Sequence, residues 1–88
     1  MYELIRQKAV RFMLVRGWRE LLAKSGAYQQ SLFEHTLCEL DVLLQLLPIL
    51  RLSNHCDLKP EEEQILIVSV IGHDVGKETK EFQDYIKD

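Results

Sequence analysis

Phe33, Leu37, Leu40, Leu44 and Leu47 recur at i, i+4, i+7, i+11 and i+14, and no other pattern in the chain limits its fold so tightly. An apolar stripe of that period fits one face of an α-helix. Ser31-Leu-Phe-Glu34 stands just ahead of it and has the form of a capping box. In that motif the serine hydroxyl accepts from the N–H three residues on, while the glutamate reaches back. The helix is therefore expected to begin near Leu32 and to run to about Leu47, where Pro48 removes a backbone donor and crowds the preceding turn.

The flanking segments carry helical signals of their own. Leu4, Ile5, Phe12, Met13, Trp18, Leu21 and Leu22 suggest an opening helix or helix pair with Gly17 as an interruption, and Lys24-Ser25-Gly26 supplies a stop. Arg51 to Lys59 is a polar connection. Pro60 followed by Glu61, Glu62 and Glu63 then makes a good helix start, with proline at the first position and carboxylates on the positive end of the macrodipole. Ile65 to Ile71 is apolar apart from Ser69, which suits a helix buried on several sides. A buried strand is the rival reading, and the acidic, proline-led opening favours the helix. Gly76 is expected to end it as a left-handed cap, and Thr79 to cap a last helix with Phe82, Tyr85 and Ile86 on one face. No repeat, low-complexity tract or convincing strand is seen. The expected fold is all-α, a single domain of about four helices over residues 1–88.

Eighty-eight residues bury roughly 60–65% of the surface their unfolded chain exposes, so the core must be small. Hydrophobic residues make up 47% and charged residues 28%, a globular balance. The richest apolar run, Val42 to Leu52, is broken by Gln45, Pro48 and Arg51 and falls short of the roughly 20 residues a membrane span needs. A net charge of −3 does not advertise nucleic-acid binding, although Arg6, Lys8, Arg11, Arg16, Arg19 and Lys24 put six of the eleven cations in the first 24 residues. A solvated helix face explains that spacing equally well. Cys38 and Cys56 form no CxxC and no signal peptide opens the chain, so a reducing cytoplasmic setting is the default, with Cys38 expected in the core.

His73 and Asp74 lie between two glycines at the end of an apolar run, with Lys77 close behind. A buried imidazole and carboxylate are costly unless something organises them. A divalent transition metal does so, because neutral imidazole nitrogen and carboxylate oxygen are both good ligands. Neighbours on a helix point about 100° apart, so a ligand from elsewhere is needed. His35 is the best candidate: it opens a helix that can pack antiparallel to the one ending in His73, first turn against last. His55, in Asn54-His-Cys-Asp57, is read as an exposed loop residue, and no zinc-like spacing joins it to Cys56. Gly72 to Thr79 fails as a phosphate loop, since three residues separate the glycines and Glu78 stands in the Ser/Thr place. No Gly-x-Ser-x-Gly or defensible Ser/His/Asp relay is present.

His35, then His73-Asp74 followed by Gly76-Lys77, resembles the HD superfamily of metal-dependent phosphohydrolases. The extended pattern, Glu34-His35-Thr36, Gly72-His-Asp-Val-Gly-Lys77, Phe82-Gln83 and Tyr85, is most similar to the HD nuclease domains of CRISPR interference proteins. These include the type I helicase-nuclease and, closer through Glu34-His-Thr-Leu-x-Glu39 and Gly72 to Glu78, the large subunit of type I-D effector complexes. The resemblance covers about Leu32 to Ile86, with 31–88 as the motif region and 1–26 as an unmatched leading helix region.

The resemblance implies an HD-type helical domain with His35, His73 and Asp74 as metal ligands and Lys77 beside the scissile phosphate. It implies one or two divalent ions, with Mn, Ni, Co or Fe ahead of Zn, that activate water for attack on a DNA phosphodiester. Asp74 would bridge the ions in a two-metal site. Target DNA presented as a single strand, guide RNA and other effector subunits would be the partners. The family completes its ligand set with a distal aspartate and further histidines, and Asp84 and Asp88 lie too near the motif to serve. The expectation is therefore an N-terminal part of a longer HD domain, with an incomplete metal site when alone. Two other readings stand beside it: an HD phosphohydrolase acting on small nucleotides, and a non-catalytic helical module that contacts partners through residues such as Phe12, Met13 and Trp18.

Overall fold

The computed structural model describes residues 2–24, 29–52 and 59–87. Helix α1 spans Glu3–Val15, α2 Leu32–Leu52, α3 Pro60–Val75 and α4 Lys80–Lys87, with short 3-10 turns at Trp18–Glu20 and Gly76–Glu78. The all-α expectation holds, with one addition. Strands β1 (Leu22–Lys24) and β2 (Gln30–Ser31) form a small antiparallel pair with an irregular register, Leu22 opposite Ser31 and Lys24 opposite Gln30. Strands of two or three residues are too short to show alternation. The expected stop at Ser25-Gly26, the loop residues His55 and Cys56, and Asp88 lie outside the described residues.

The starts of α2, α3 and α4 follow from local chemistry. The Ser31 hydroxyl accepts the Glu34 N–H at 3.1 Å, so α2 begins at Leu32 as the capping pattern requires. Pro60 occupies the first position of α3, and the Glu62 carboxylate reaches back to the Lys59 N–H at 3.4 Å. The Thr79 hydroxyl accepts the Phe82 N–H at 3.2 Å and caps α4. Gly17 adopts φ 73°, the left-handed conformation that glycine alone takes without strain, and so turns the chain out of α1.

Four local expectations are corrected. Helix α2 does not stop at Leu47 but continues through Pro48 to Leu52. Leu40 and Leu47 are fully buried, and this packing outweighs the one backbone bond that proline forfeits. Helix α3 is not buried on several sides: Ile67 is buried, whereas Ile65 and Val68 are 64% and 67% exposed, because few elements are available to cover it. Gly76 has φ −60° and continues into the 3-10 turn rather than forming a left-handed cap. Tyr85 does not share an inward face with Phe82 and Ile86: it is 80% exposed, and Gln83 is the buried residue of α4.

The core gathers Ala9 and Met13 of α1, Trp18, Ala23, Leu32, Leu40 and Leu47 of α2, and Ile67 of α3. Cys38, expected in this core, is exposed. The buried stripe of α2 runs through Leu32, Thr36, Leu40 and Leu47, and Cys38, two residues from Thr36, is turned about 200° away from it. Trp18 stacks edge-on against Phe12, ring centroids 5.8 Å apart. The cations of the leading segment are partly committed. Arg6 binds Asp41 through two bonds, at 2.8 and 3.2 Å, and Arg16 forms a bidentate pair with Glu78.

Candidate metal centre

Helices α2 and α3 bring the first turn of one against the last turn of the other, and their polar side chains meet there. Thr36 and Asp74 are fully buried. The Thr36 hydroxyl donates to Asp74 Oδ2 at 2.8 Å, and this bond fixes the carboxylate so that Oδ1 faces His35, whose Nε2 lies 4.0 Å away. Glu39, one turn along α2 from His35, places Oε1 2.9 Å from the same nitrogen. His35, Glu39 and Asp74 thus offer ligand atoms that all lie within 4.8 Å of one another.

The tautomer of His35 decides what this cluster can hold. Gln30 Oε1 lies 3.3 Å from Nδ1, and with the amide oxygen turned toward the ring this pairing takes the tautomer protonated at Nδ1. Nε2 then turns its lone pair into the cluster, as a metal-ligating imidazole held by an outer acceptor does. Burial, then the nearby Lys77 charge, lowers the His35 pKa and favours the neutral ring. Glu39 Oε1 is buried without a hydrogen-bond donor. Two acceptors therefore face each other at 2.9 Å, an arrangement that needs a proton or a cation between them.

The two carboxyl groups respond in opposite directions. Burial, followed by the adjacent Asp74 carboxylate, raises the Glu39 pKa. Burial pushes Asp74 upward as well, but hydrogen bonds from Glu39, Thr36 and Lys77 outweigh it and hold the Asp74 pKa below the ordinary range. Asp74 is therefore the fixed negative charge of the cluster, and Glu39 is the member that keeps a proton more readily.

Lys77 places Nζ 3.2 Å from Asp74 Oδ1 and 3.4 Å from His35 Nε2. An ammonium ion thus stands where the two acceptors converge. His73 is at the rim. Its side chain is 74% exposed, and its Nδ1 approaches Asp74 Oδ1 at 3.4 Å. Of the residues singled out from sequence, His35, Asp74 and Lys77 come together inside the cluster, and His73 lies beside it.

Glu39 takes the inward place, although the sequence reading used it only as part of a motif. Its spacing of four from His35 was the available signal, since i and i+4 share a helix face. Lys77 is positioned from helix α4. Gln83 donates to the Lys77 carbonyl at 2.7 Å and the Leu22 carbonyl at 2.9 Å, and accepts the Leu22 N–H at 2.9 Å. The turn after Asp74 is thereby tied to β1.

The donor set fits a divalent ion. Metal–ligand bonds of about 2.1 Å separate neighbouring ligand atoms by about 3.0 Å and opposite ones by about 4.2 Å in an octahedron. The His35–Glu39 and His35–Asp74 separations of 2.9 and 4.0 Å match these values. One imidazole nitrogen with two carboxylate oxygens is a mixed N/O donor set of the kind that first-row divalent ions accept. Among the described residues no other group of three or more such ligands comes together. No helix in the described residues is long and apolar enough to cross a membrane. In comparisons with models of protein families, with curated proteins and with solved structures, nothing matches this chain.

Proposed function

We propose that this chain carries the metal-binding part of an HD-type phosphohydrolase site, acting on phosphodiesters of DNA as part of a CRISPR interference nuclease. The observation that supports it is the meeting of His35 Nε2 and Asp74 Oδ1, 4.0 Å apart, from residues separated by a whole helical hairpin. A divalent ion bound there supplies Lewis acidity and an activated water. The chain's own groups do the rest: Gln30 orients the His35 ring, Thr36 holds the Asp74 carboxylate, and Lys77 brings positive charge to the cluster where a phosphate would approach.

A second reading is favoured by a different observation. Between α1 and α3 runs an apolar groove of about 420 Å³ that includes Ile5, Ala9, Phe12, Ile67, Val68 and Ile71. A helical interaction module with an idle metal site would present such a surface. Incubation with Mn2+ or Ni2+ and single-stranded DNA, and separately with a nucleotide panel, distinguishes these readings. Cleavage that is lost in the His73→Ala, Asp74→Ala double variant supports the hydrolase, and the product identifies DNA or nucleotide as substrate. Cleavage unchanged in that variant removes this cluster from the reaction.

A further inference from the structure

Lys77 is tethered at both ends of its reach. Its backbone carbonyl is held by Gln83 at 2.7 Å, while its ammonium lies 3.2 Å from Asp74 Oδ1 and 3.4 Å from His35 Nε2. These are two of the three atoms that would bind a metal ion. An ion at bonding distance from both would lie about 2.1 Å from each. A point that close to both atoms lies about 2.0–3.3 Å from the observed Nζ position, a separation at which an ammonium and a divalent cation repel strongly.

The geometry points to Lys77 as a resident counter-ion: its ammonium balances Asp74 in the metal-free chain, and a divalent ion that binds His35, Glu39 and Asp74 must expel it. This inference rests on the metal-site reading and adds regulation to it. Three consequences follow from the chemistry. The metal-free cluster stays folded, because the buried Asp74 carboxylate is never without a cation. Metal affinity is lowered by the competition, since each binding event breaks the Lys77–Asp74 pair. The expelled ammonium, still anchored through its backbone to Gln83, turns to the rim beside His73. There it is presented to a phosphate, so loading of the metal also arms the substrate contact.

Glu39 completes the exchange. Its Oε1 is buried without a donor in the lysine-occupied state and lies 2.9 Å from the His35 nitrogen. An ion bound by both gives Glu39 Oε1 the electrophile it lacks and replaces the ammonium at His35 Nε2. One ammonium charge is thus replaced by two, and the second is met by the second carboxylate.

The test uses Mn2+ as probe and two readouts that do not depend on catalysis. Binding is measured from the loss of the free Mn2+ electron paramagnetic resonance signal in wild type, Lys77→Met, Glu39→Gln and His35→Ala. Amine reactivity of Lys77 is followed by reductive methylation and mass spectrometry, with and without Mn2+. The expected result is Mn2+ affinity at least about tenfold tighter in Lys77→Met, at least about tenfold weaker in Glu39→Gln, and a Lys77 methylation rate that rises several-fold when wild type is loaded. Mn2+ binding that needs His35 but is unaffected by Lys77→Met, with Lys77 reactivity unchanged on loading, overturns the displacement and leaves the metal site standing. Failure of both wild type and Lys77→Met to bind Mn2+ overturns the metal site and the displacement together. Circular dichroism of each variant identifies any that lose the fold, and Lys77→Gln replaces Lys77→Met if the latter does.

Discussion

Trp18, fully buried, donates its indole N–H to Glu78 Oε2 at 2.7 Å. This single bond joins the turn after α1 to the turn that follows Asp74. Arg16 grips the same carboxylate, so the leading segment braces the strand of chain that carries Lys77. Glu78→Ala leaves the buried indole N–H without an acceptor and is expected to destabilise the fold by about 1–3 kcal/mol. Glu78→Gln keeps an acceptor for the indole, loses only the ion pair with the exposed Arg16, and is expected to destabilise the fold far less than Glu78→Ala. Urea titration followed by Trp18 fluorescence measures both.

The same carboxylate gives a pH signature. The Arg16 hydrogen bond, joined by that of Trp18 and opposed by burial, holds the Glu78 pKa below its ordinary 4.5. A carboxyl group with a depressed folded pKa contributes stability that is present above its unfolded pKa and is lost as pH falls through the folded value. Stability measured from pH 6 downward, with about pH 4.5 as the onset, should therefore fall less steeply in Glu78→Gln than in wild type. Equal slopes would show that the contact carries no linkage.

Gln83 is buried and uses its amide in three bonds, two to Leu22 and one to Lys77. Gln83→Ala strands two carbonyls and an N–H, and is expected to cost about 2–3 kcal/mol. Hydrogen exchange should show the loss first at the Leu22 amide. Protection there equal to wild type would mean that β1 holds without the clasp.

Cys38 is exposed on α2. The native protein should react with a maleimide or a thiol-specific disulfide reagent within minutes and without denaturant, and Cys38→Ser should change stability by no more than about 0.5 kcal/mol. Thiol counting against the Cys38→Ser variant separates its signal from that of Cys56.

Pro48 lies inside α2 and is exposed. Proline in a helix interior is about 3 kcal/mol less favourable than alanine, offset in part by the entropy it removes from the unfolded chain. Pro48→Ala is expected to stabilise the protein by about 1–2 kcal/mol in thermal or urea unfolding. A loss of stability would mean that the chain needs a bend at that turn.

The starts of α2, α3 and α4 were legible because each is set by a few neighbouring residues: Ser31 and Glu34, Pro60 and its glutamates, Thr79. The meeting of His35 with Asp74 was legible for a different reason, since the motif carries long-range information that local pattern does not. The face of α2 was read correctly at Leu40 and Leu47, whereas in the first turns Leu32 and Thr36 are fully buried and Phe33 and Leu37 only partly so. Thr36 is the least apolar of these four, and it is buried because Asp74 supplies the acceptor its hydroxyl needs. That partner lies 38 residues away, out of reach of any periodicity. Glu39 was named in the motif but given no role, and Cys38 was placed in the core on residue type alone although it lies about 200° around the helix from Thr36. The breadth of α3 exposed to solvent depends on what packs against it, which its own composition does not encode.

Because the Thr36 hydroxyl pins one oxygen of Asp74, only the other is turned toward the ammonium and the imidazole. The threonine thus sets the direction in which the buried charge of Asp74 is presented, and a chain without that hydroxyl would leave the carboxylate free to rotate.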